Sequence, residues 1–139
     1  MTVYLDSSVA LRVLLGQPGR LETWGHWERA VASELLGLEI RRAVDRLRVQ
    51  GRLDARMVAT LLRETTIVEE SIGVVPLTRT VLRRAALPMA TPVRTLDGIH
   101  LATALMVRER MEESLIFATH DSKQADAARA LGFSVLGTN

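Results

Sequence analysis

The chain has 139 residues, 47% of them hydrophobic, which suits one domain with a real core and excludes a disordered segment. It has no cysteine, so disulfides and thiolate metal sites are excluded, in keeping with a reducing cytoplasm. Lys and Arg total 18 against 16 acids, a formal charge of +2 that names no partner by itself, and every basic residue but Lys123 is Arg. That bias suits phosphate binding through a planar fork of donors, and GC-rich coding produces it equally well. The start MTVYLDSS lacks the basic and apolar regions of a signal peptide. No apolar run approaches the ~20 residues of a membrane span, which predicts a soluble, cytoplasmic protein without a membrane partner.

Thr2 to Leu5 are short and β-prone and end at Asp6. Ser7 or Ser8 is expected to cap a helix from Val9 to Leu15, stopped by Gly16, Pro18 and Gly19. A second helix is expected from Leu21 to Arg29. Its Trp24 and Trp27 read better as packing than as base-stacking, and His26 reads as surface. Ala30 to Ala32 form a candidate strand. Ser33 then caps a long helix to about Gln50, with Glu34 as a first-turn acid and an apolar stripe of Leu35, Leu38, Val44 and Leu47. Glu39 lies beside that stripe, where an acid needs a reason. Arg42 at i+3, or Arg41, supplies one as an ion pair.

Gly51 ends this helix, and Asp54 opens another from Ala55 to Thr66 with Val58, Leu61 and Leu62 inward. Ile72 to Leu77 reads as a strand. Thr78 caps a helix from Arg79 to about Ala86. After the loop marked by Pro88 and Pro92, Thr95 is the expected cap of a helix reaching about Met111. Its apolar positions are Leu96, Ile99, Leu101, Ala102, Leu105 and Met106. Asp97 falls in the first turn, where the helix dipole favours a carboxylate. Leu115 to Thr119 is a buried strand, His120 to Ser122 a turn, Lys123 to Leu131 a helix ended by Gly132, and Phe133 to Leu136 a last strand. The tail from Gly137 is expected to fray. The alternation argues one α/β domain over residues 1–139, three layers deep, around a mainly parallel sheet of about five strands.

In open parallel sheets, sites form beyond the carboxyl ends of the strands. Asp6 and Asp121 each follow a strand there. Asp97 opens a helix entered from the same edge, and Glu39 rides a helix that starts there. Such a carboxylate cluster repels itself without a cation. All-oxygen ligation suits Mg²⁺ or Mn²⁺ and not Zn²⁺, and no His pair has zinc-like spacing. Such a site activates water and offsets phosphodiester charge. His100 is one turn from Asp97 and reads first as a packed, hydrogen-bonded residue, with contact to a phosphate or to the acid as its functional alternative.

At four places the sequence resembles the PIN domain family, in its subset of VapC-type toxins from bacterial toxin–antitoxin pairs. The carrying stretches are Tyr4-Leu5-Asp6-Ser7-Ser8, Glu39-Ile40-Arg41-Arg42-Ala43, Leu96-Asp97-Gly98-Ile99-His100-Leu101-Ala102-Thr103-Ala104, and Thr119-His120-Asp121 followed by Ala127 to Gly132. They occur in the family's order across residues 2–136. The resemblance implies a Mg²⁺- or Mn²⁺-dependent endoribonuclease acting on RNA, usually a homodimer, held inactive by a cognate antitoxin. It maps Asp6, Glu39, Asp97 and Asp121 onto the metal-binding acids and Ser7 or Ser8 onto a nearby hydroxyl, with Arg42, His100 and Thr119 as supporting candidates. Ser7 stands where Thr is common and Gly98 where Ala is common, and no acid follows Asp121 until Asp126, which argues against a full second metal site. Trp24, Trp27, Val58 and Leu62 are expected as exposed apolar surface for a two-fold dimer. Two other readings compete. One is a degenerate PIN domain serving as an RNA- or protein-binding scaffold. The other is an aspartyl-nucleophile phosphatase, disfavoured because Ser8 stands where a second acid is wanted.

Overall fold

The computed structural model describes residues 1–138. In chain order the elements are β1 (Thr2–Leu5), α1 (Ser7–Leu14), β2 (Arg29–Ser33), α2 (Leu35–Val49), α3 (Ala55–Ser71), β3 (Gly73–Val75), α4 (Arg79–Ala85), α5 (Thr95–Glu109), β4 (Leu115–Ala118), α6 (Ser122–Ala130) and β5 (Ser134–Leu136). The strands form one five-stranded sheet in the order β3-β2-β1-β4-β5, and every neighbouring pair is parallel. This is the three-layer α/β/α arrangement expected from the alternation of elements.

Strand β1 is central and buried along its whole length. Its side chains alternate between faces, as the pleat requires. Val3 and Leu5 pack with Val9, Leu36, Ile40, Val44 and Leu61 from α1, α2 and α3. Tyr4 packs on the opposite face with Leu101, Leu105, Phe117 and Ala128 from α5, β4 and α6. Each fully buried large apolar side chain contributes about 1.5–3 kcal/mol, so β1 is anchored from both sides. Helix α4 joins through a smaller cluster in which Val81 meets Leu35 and Ile99. The chain runs outward from β1 to β3, returns, and then fills the other half with β4 and β5. The direction of travel therefore switches between β1 and β4, the crevice where open α/β sheets take ligands.

Several expectations are corrected. Residues Leu21 to Arg29 form no helix: they make turns with Gly25 at φ +80°, and Arg29 already belongs to β2. A left-handed residue breaks the helical ladder, and Glu28 N–H bonds Met1 O at 3.0 Å, tying the segment to the sheet. Trp24 and Trp27 meet edge to face at 5.2 Å and, with Val58, rest partly buried against the core. Of the expected exposed apolar residues, Leu62 is the one on the surface. Leu38 and Leu96, assigned to apolar stripes, and Leu62, also assigned to the inward face of its helix, are 56%, 47% and 38% exposed. Ser7 and Ser8 lie inside α1, whose boundary residue is Asp6, and Thr95 lies inside α5, whose boundary residue is Arg94. Glu34 caps no helix end with its side chain, which accepts the N–H of Leu77, while Ser33 Oγ accepts the N–H of Leu35. Helix α3 runs past Thr66 to Ser71, with the hydroxyls of Thr65 and Thr66 occupied by the carbonyls of Leu61 and Leu62 and so withdrawn from the backbone N–H groups. Strand β3 is shorter than expected, since Pro76 has no N–H to offer. The tail is held: Arg129 Nη2 bonds Thr138 Oγ1 at 3.1 Å, while Asn139 lies outside the described residues.

Candidate active site

The site begins with the register between β1 and β4. Leu5 pairs with Ala118, and the Asp6 N–H donates to Ala118 O at 3.0 Å. This places Asp6 beside Thr119 at the carboxyl edge of the sheet. Thr119 Oγ1 and Ser8 Oγ both donate to Asp6 Oδ2 at 2.7 Å. Each hydroxyl also accepts a backbone N–H from the loop leaving β4, Ser8 from His120 at 3.0 Å and Thr119 from Asp121 at 3.1 Å. The two hydroxyls therefore fasten the β4–α6 loop to Asp6. Ser8, and not Ser7, is the hydroxyl that touches the acid.

Asp121 uses Oδ1 to cap α6, accepting from Lys123 N at 2.8 Å and Gln124 N at 3.1 Å. Its other oxygen remains available. Asp97 lies in the first turn of α5, half-buried, and its backbone carbonyl accepts from Gln124 Nε2 at 3.1 Å. Burial raises the Asp97 pKa above the usual carboxylate range, and the charges of Asp6, Asp121 and Glu39 add to the rise while His100 opposes it. Asp97 thus senses all three other acids. Asp97 and Asp121 line an open cavity of about 700 Å³, and Arg94 and Lys123 supply cations on its wall. Asp6 is 5% exposed and sits deeper.

Glu39 does not pair with Arg42 or Arg41. Arg42 takes Asp45 at 3.2 Å and Arg41 takes Glu69 at 2.6 Å. Glu39 Oε1 instead meets His100 Nε2 at 2.5 Å. The same nitrogen is 3.8 Å from Asp6 Oδ1. His100 is fully buried, and its Nδ1 lies 2.7 Å from the Tyr4 hydroxyl. Burial lowers the His100 pKa, but the Glu39 hydrogen bond and the charges of Asp6, Glu39 and Asp97 carry it above the usual value. Burial holds the Tyr4 phenol well above its ordinary pKa, so Tyr4 stays neutral. Tyr4 was part of a motif in the sequence but carried no role there. Its signal was a phenol set between Val3 and Leu5 in a short β-prone stretch. Gln124, Arg94 and Lys123 carried no sequence signal of their own, because only the fold brings them beside Asp97 and Asp121.

The four acids thus come from four segments and meet at one sheet edge. The donors are carboxylate oxygens with hydroxyl support, which fits Mg²⁺ or Mn²⁺ in kind. Among the described residues, no group of three acidic or imidazole side chains is posed to hold a metal ion in this structure.

Residues 3–130 match the model of the PIN domain. The chain is 28% identical over 138 residues to ribonuclease VapC47 of Mycobacterium tuberculosis (strain CDC 1551 / Oshkosh), covering 94% of this chain and 93% of that protein. Its fold superposes on a toxin–antitoxin complex from Klebsiella pneumoniae with a TM-score of 0.67 at 14% identity, covering 98% of this chain and 96% of the other. That likeness is one of fold alone. The family match runs from Val3 in β1 to the end of α6 and includes each segment that carries an acid to the sheet edge, and on it the chain belongs to the PIN domain family.

Proposed function

We propose that this chain is a Mg²⁺- or Mn²⁺-dependent endoribonuclease and the toxin of a bacterial toxin–antitoxin pair. The carrying observation is that Asp97 senses Asp6, Glu39 and Asp121 from the wall of an open cavity that also bears Arg94 and Lys123. The name of the ribonuclease relative supports the substrate class. The toxin–antitoxin complex of similar fold supports the kind of partner. Asp6, Glu39, Asp97 and Asp121 would hold the dication. When bound, it lowers the pKa of water and offsets charge on the phosphodiester.

The protein's own groups prepare that chemistry. Ser8 and Thr119 occupy Asp6 Oδ2, while Oδ1 stands 3.8 Å from His100 Nε2. Asp121 keeps Oδ2 free while Oδ1 caps α6. Arg94 and Lys123 hold the flanking phosphates, which sets the position of the strand without reading its sequence. A cognate antitoxin would set a basic side chain against the clustered acids. The chain works as a cytoplasmic homodimer in this reading, with exposed Leu62 in its contact surface.

Purified protein is assayed for cleavage of total RNA with Mn²⁺, with Mg²⁺ and with chelator, beside growth arrest on expression and its relief by a neighbouring small protein. Metal-dependent cleavage is the expected result. Folded protein that binds no Mn²⁺ and cuts no RNA overturns it. The competing reading is a degenerate PIN domain that binds RNA or protein as a scaffold. RNA binding without cleavage selects that reading. Light scattering is expected to give twice the 15.4 kDa chain mass, and a monomer at micromolar concentration rejects the dimer.

A further inference from the structure

The acids of this site are held unequally. Hydroxyls fix Asp6 and backbone N–H groups fix Asp121, but Glu39 has a long side chain on a helix flank and is 24% exposed. Its one described hydrogen bond is to His100, a fully buried ring. His100 in turn touches the fully buried Tyr4, whose hydroxyl accepts the Ser33 N–H at 3.3 Å. Tyr4 also stacks on Phe117 at 5.1 Å, so the phenol cannot swing away without opening the core.

The proton positions depend on these partners. Where the Tyr4 hydroxyl, with the Ser33 N–H on one lone pair, donates to His100 Nδ1, that nitrogen carries no proton. The proton of a neutral ring then sits on Nε2, facing Glu39. A doubly protonated ring also carries a proton there. Only a neutral ring with bare Nε2 would not, and that form would set a lone pair against a carboxylate at 2.5 Å. The same edge of the ring faces Asp6 Oδ1 at 3.8 Å, so one N–H stands between two carboxylates that would otherwise repel.

We propose that His100 is a positioning residue for the metal centre: its Nε2–H, oriented by Tyr4 from inside the core, holds Glu39 by Oε1 so that Oε2 is presented to the dication. This rests on the reading of Glu39 as a metal ligand. Hydrogen-bonded outer groups of this kind orient ligands, and their loss costs about 10–100-fold in metal affinity or activity. An apolar residue at position 100 would pack as well but would leave Glu39 free to rotate, adding the entropy of ordering it to every binding event.

The test measures Mn²⁺ binding by calorimetry on the whole chain, with the melting temperature of the metal-free protein beside it. His100→Leu is expected to weaken Mn²⁺ binding by about tenfold or more. His100→Gln, whose amide N–H reaches toward the same carboxylate, is expected to restore most of that loss, and Tyr4→Phe to fall between. A role in packing alone would lower the metal-free melting temperature and leave affinity unchanged, which overturns the proposal. Wild type that binds Mn²⁺ together with a folded His100→Leu that binds it equally well overturns this inference and spares the nuclease reading. Wild type that binds none overturns both. Should His100→Leu fail to fold, nitrogen NMR of the wild-type ring decides: a proton on Nε2 supports the proposal, and a bare Nε2 with protonated Nδ1 overturns it.

Discussion

Asp97→Asn separates the chemistry of this site from its fold. The side chain keeps its size and loses one negative charge from the first turn of α5. If Asp97 served only the helix dipole, the change would cost about 0.3–1 kcal/mol and leave activity intact. The structure opposes that loss, because Asp97 is half-buried beside Asp6, Asp121 and Glu39. Removing its charge relieves burial and repulsion together, so metal-free stability is expected to hold or rise. The metal-bound protein is expected to behave oppositely. Mn²⁺ at a hundred times its dissociation constant stabilises wild type by about 2.7 kcal/mol. For a chain of 139 residues, that corresponds to a rise of roughly 10 °C in melting temperature. If the substitution weakens binding about a hundredfold, the same Mn²⁺ concentration gives only about 0.4 kcal/mol, or roughly 1–2 °C. The assay is a pair of melting curves with and without Mn²⁺, run beside RNA cleavage, which is expected to fall by orders of magnitude. A folded Asp97→Asn protein that keeps the full Mn²⁺ shift and wild-type cleavage refutes the assignment of this residue.

Further outcomes are as specific. The raised Asp97 pKa means that the folded protein holds a proton more tightly than the unfolded chain, so metal-free stability is expected to fall as pH rises from the unfolded carboxylate value through the folded one; Asp97→Asn should lack that part of the slope in urea melts taken across the acidic range. Thr119→Val keeps the shape of a buried side chain but leaves Asp6 Oδ2 short of a donor and the Asp121 N–H without an acceptor, for an expected loss of about 1–3 kcal/mol in urea denaturation and a drop in cleavage. Asp54→Ala removes the acceptor of the Met57 N–H at the start of α3 and should cost about 1 kcal/mol in thermal melts with cleavage per folded molecule unchanged.

The layered fold was legible because its signals were local and strong. Apolar strands alternate with helices ended by Gly51 and Gly132, both at positive φ, and begun by Asp54 and Thr78, both of which do cap. The segment from Leu21 to Arg29 reads as a helix because its two Trp residues mimic helical spacing, while Gly25 and the tie to Met1 decide otherwise. The positions of Asp6 and Asp121 were legible because each directly follows a strand. The partner of Glu39 was not, since spacing along α2 favours Arg42, and only the packing of α5 across the sheet brings in His100, 61 residues away. Caps failed as guides at α1 and α5, where helix boundaries moved by a residue or two and Ser8 took a bond to Asp6 in place of the backbone.

That exchange of roles explains how the site is built. An ordinary strand-to-helix junction spends its hydroxyls and carboxylates on unpaired helix N–H groups. Here α1 and α5 begin with no side-chain cap, at a cost in local stability. Ser8 and Thr119 instead join Asp6 to the loop leaving β4, and His100 turns inward to Glu39. The order lost at the helix ends reappears between segments, through groups that are buried or partly buried. Because Asp6 takes its place from the Leu5–Ala118 pairing, the spacing of the acids is fixed by the same register that closes the core. A one-residue slip of β4 against β1 would move Thr119 off Asp6 and turn Phe117 out of its cluster at once. Disordering the site through the sheet therefore requires disordering the core, whereas a change at Ser8, Thr119 or His100 can disorder an acid while the sheet stands.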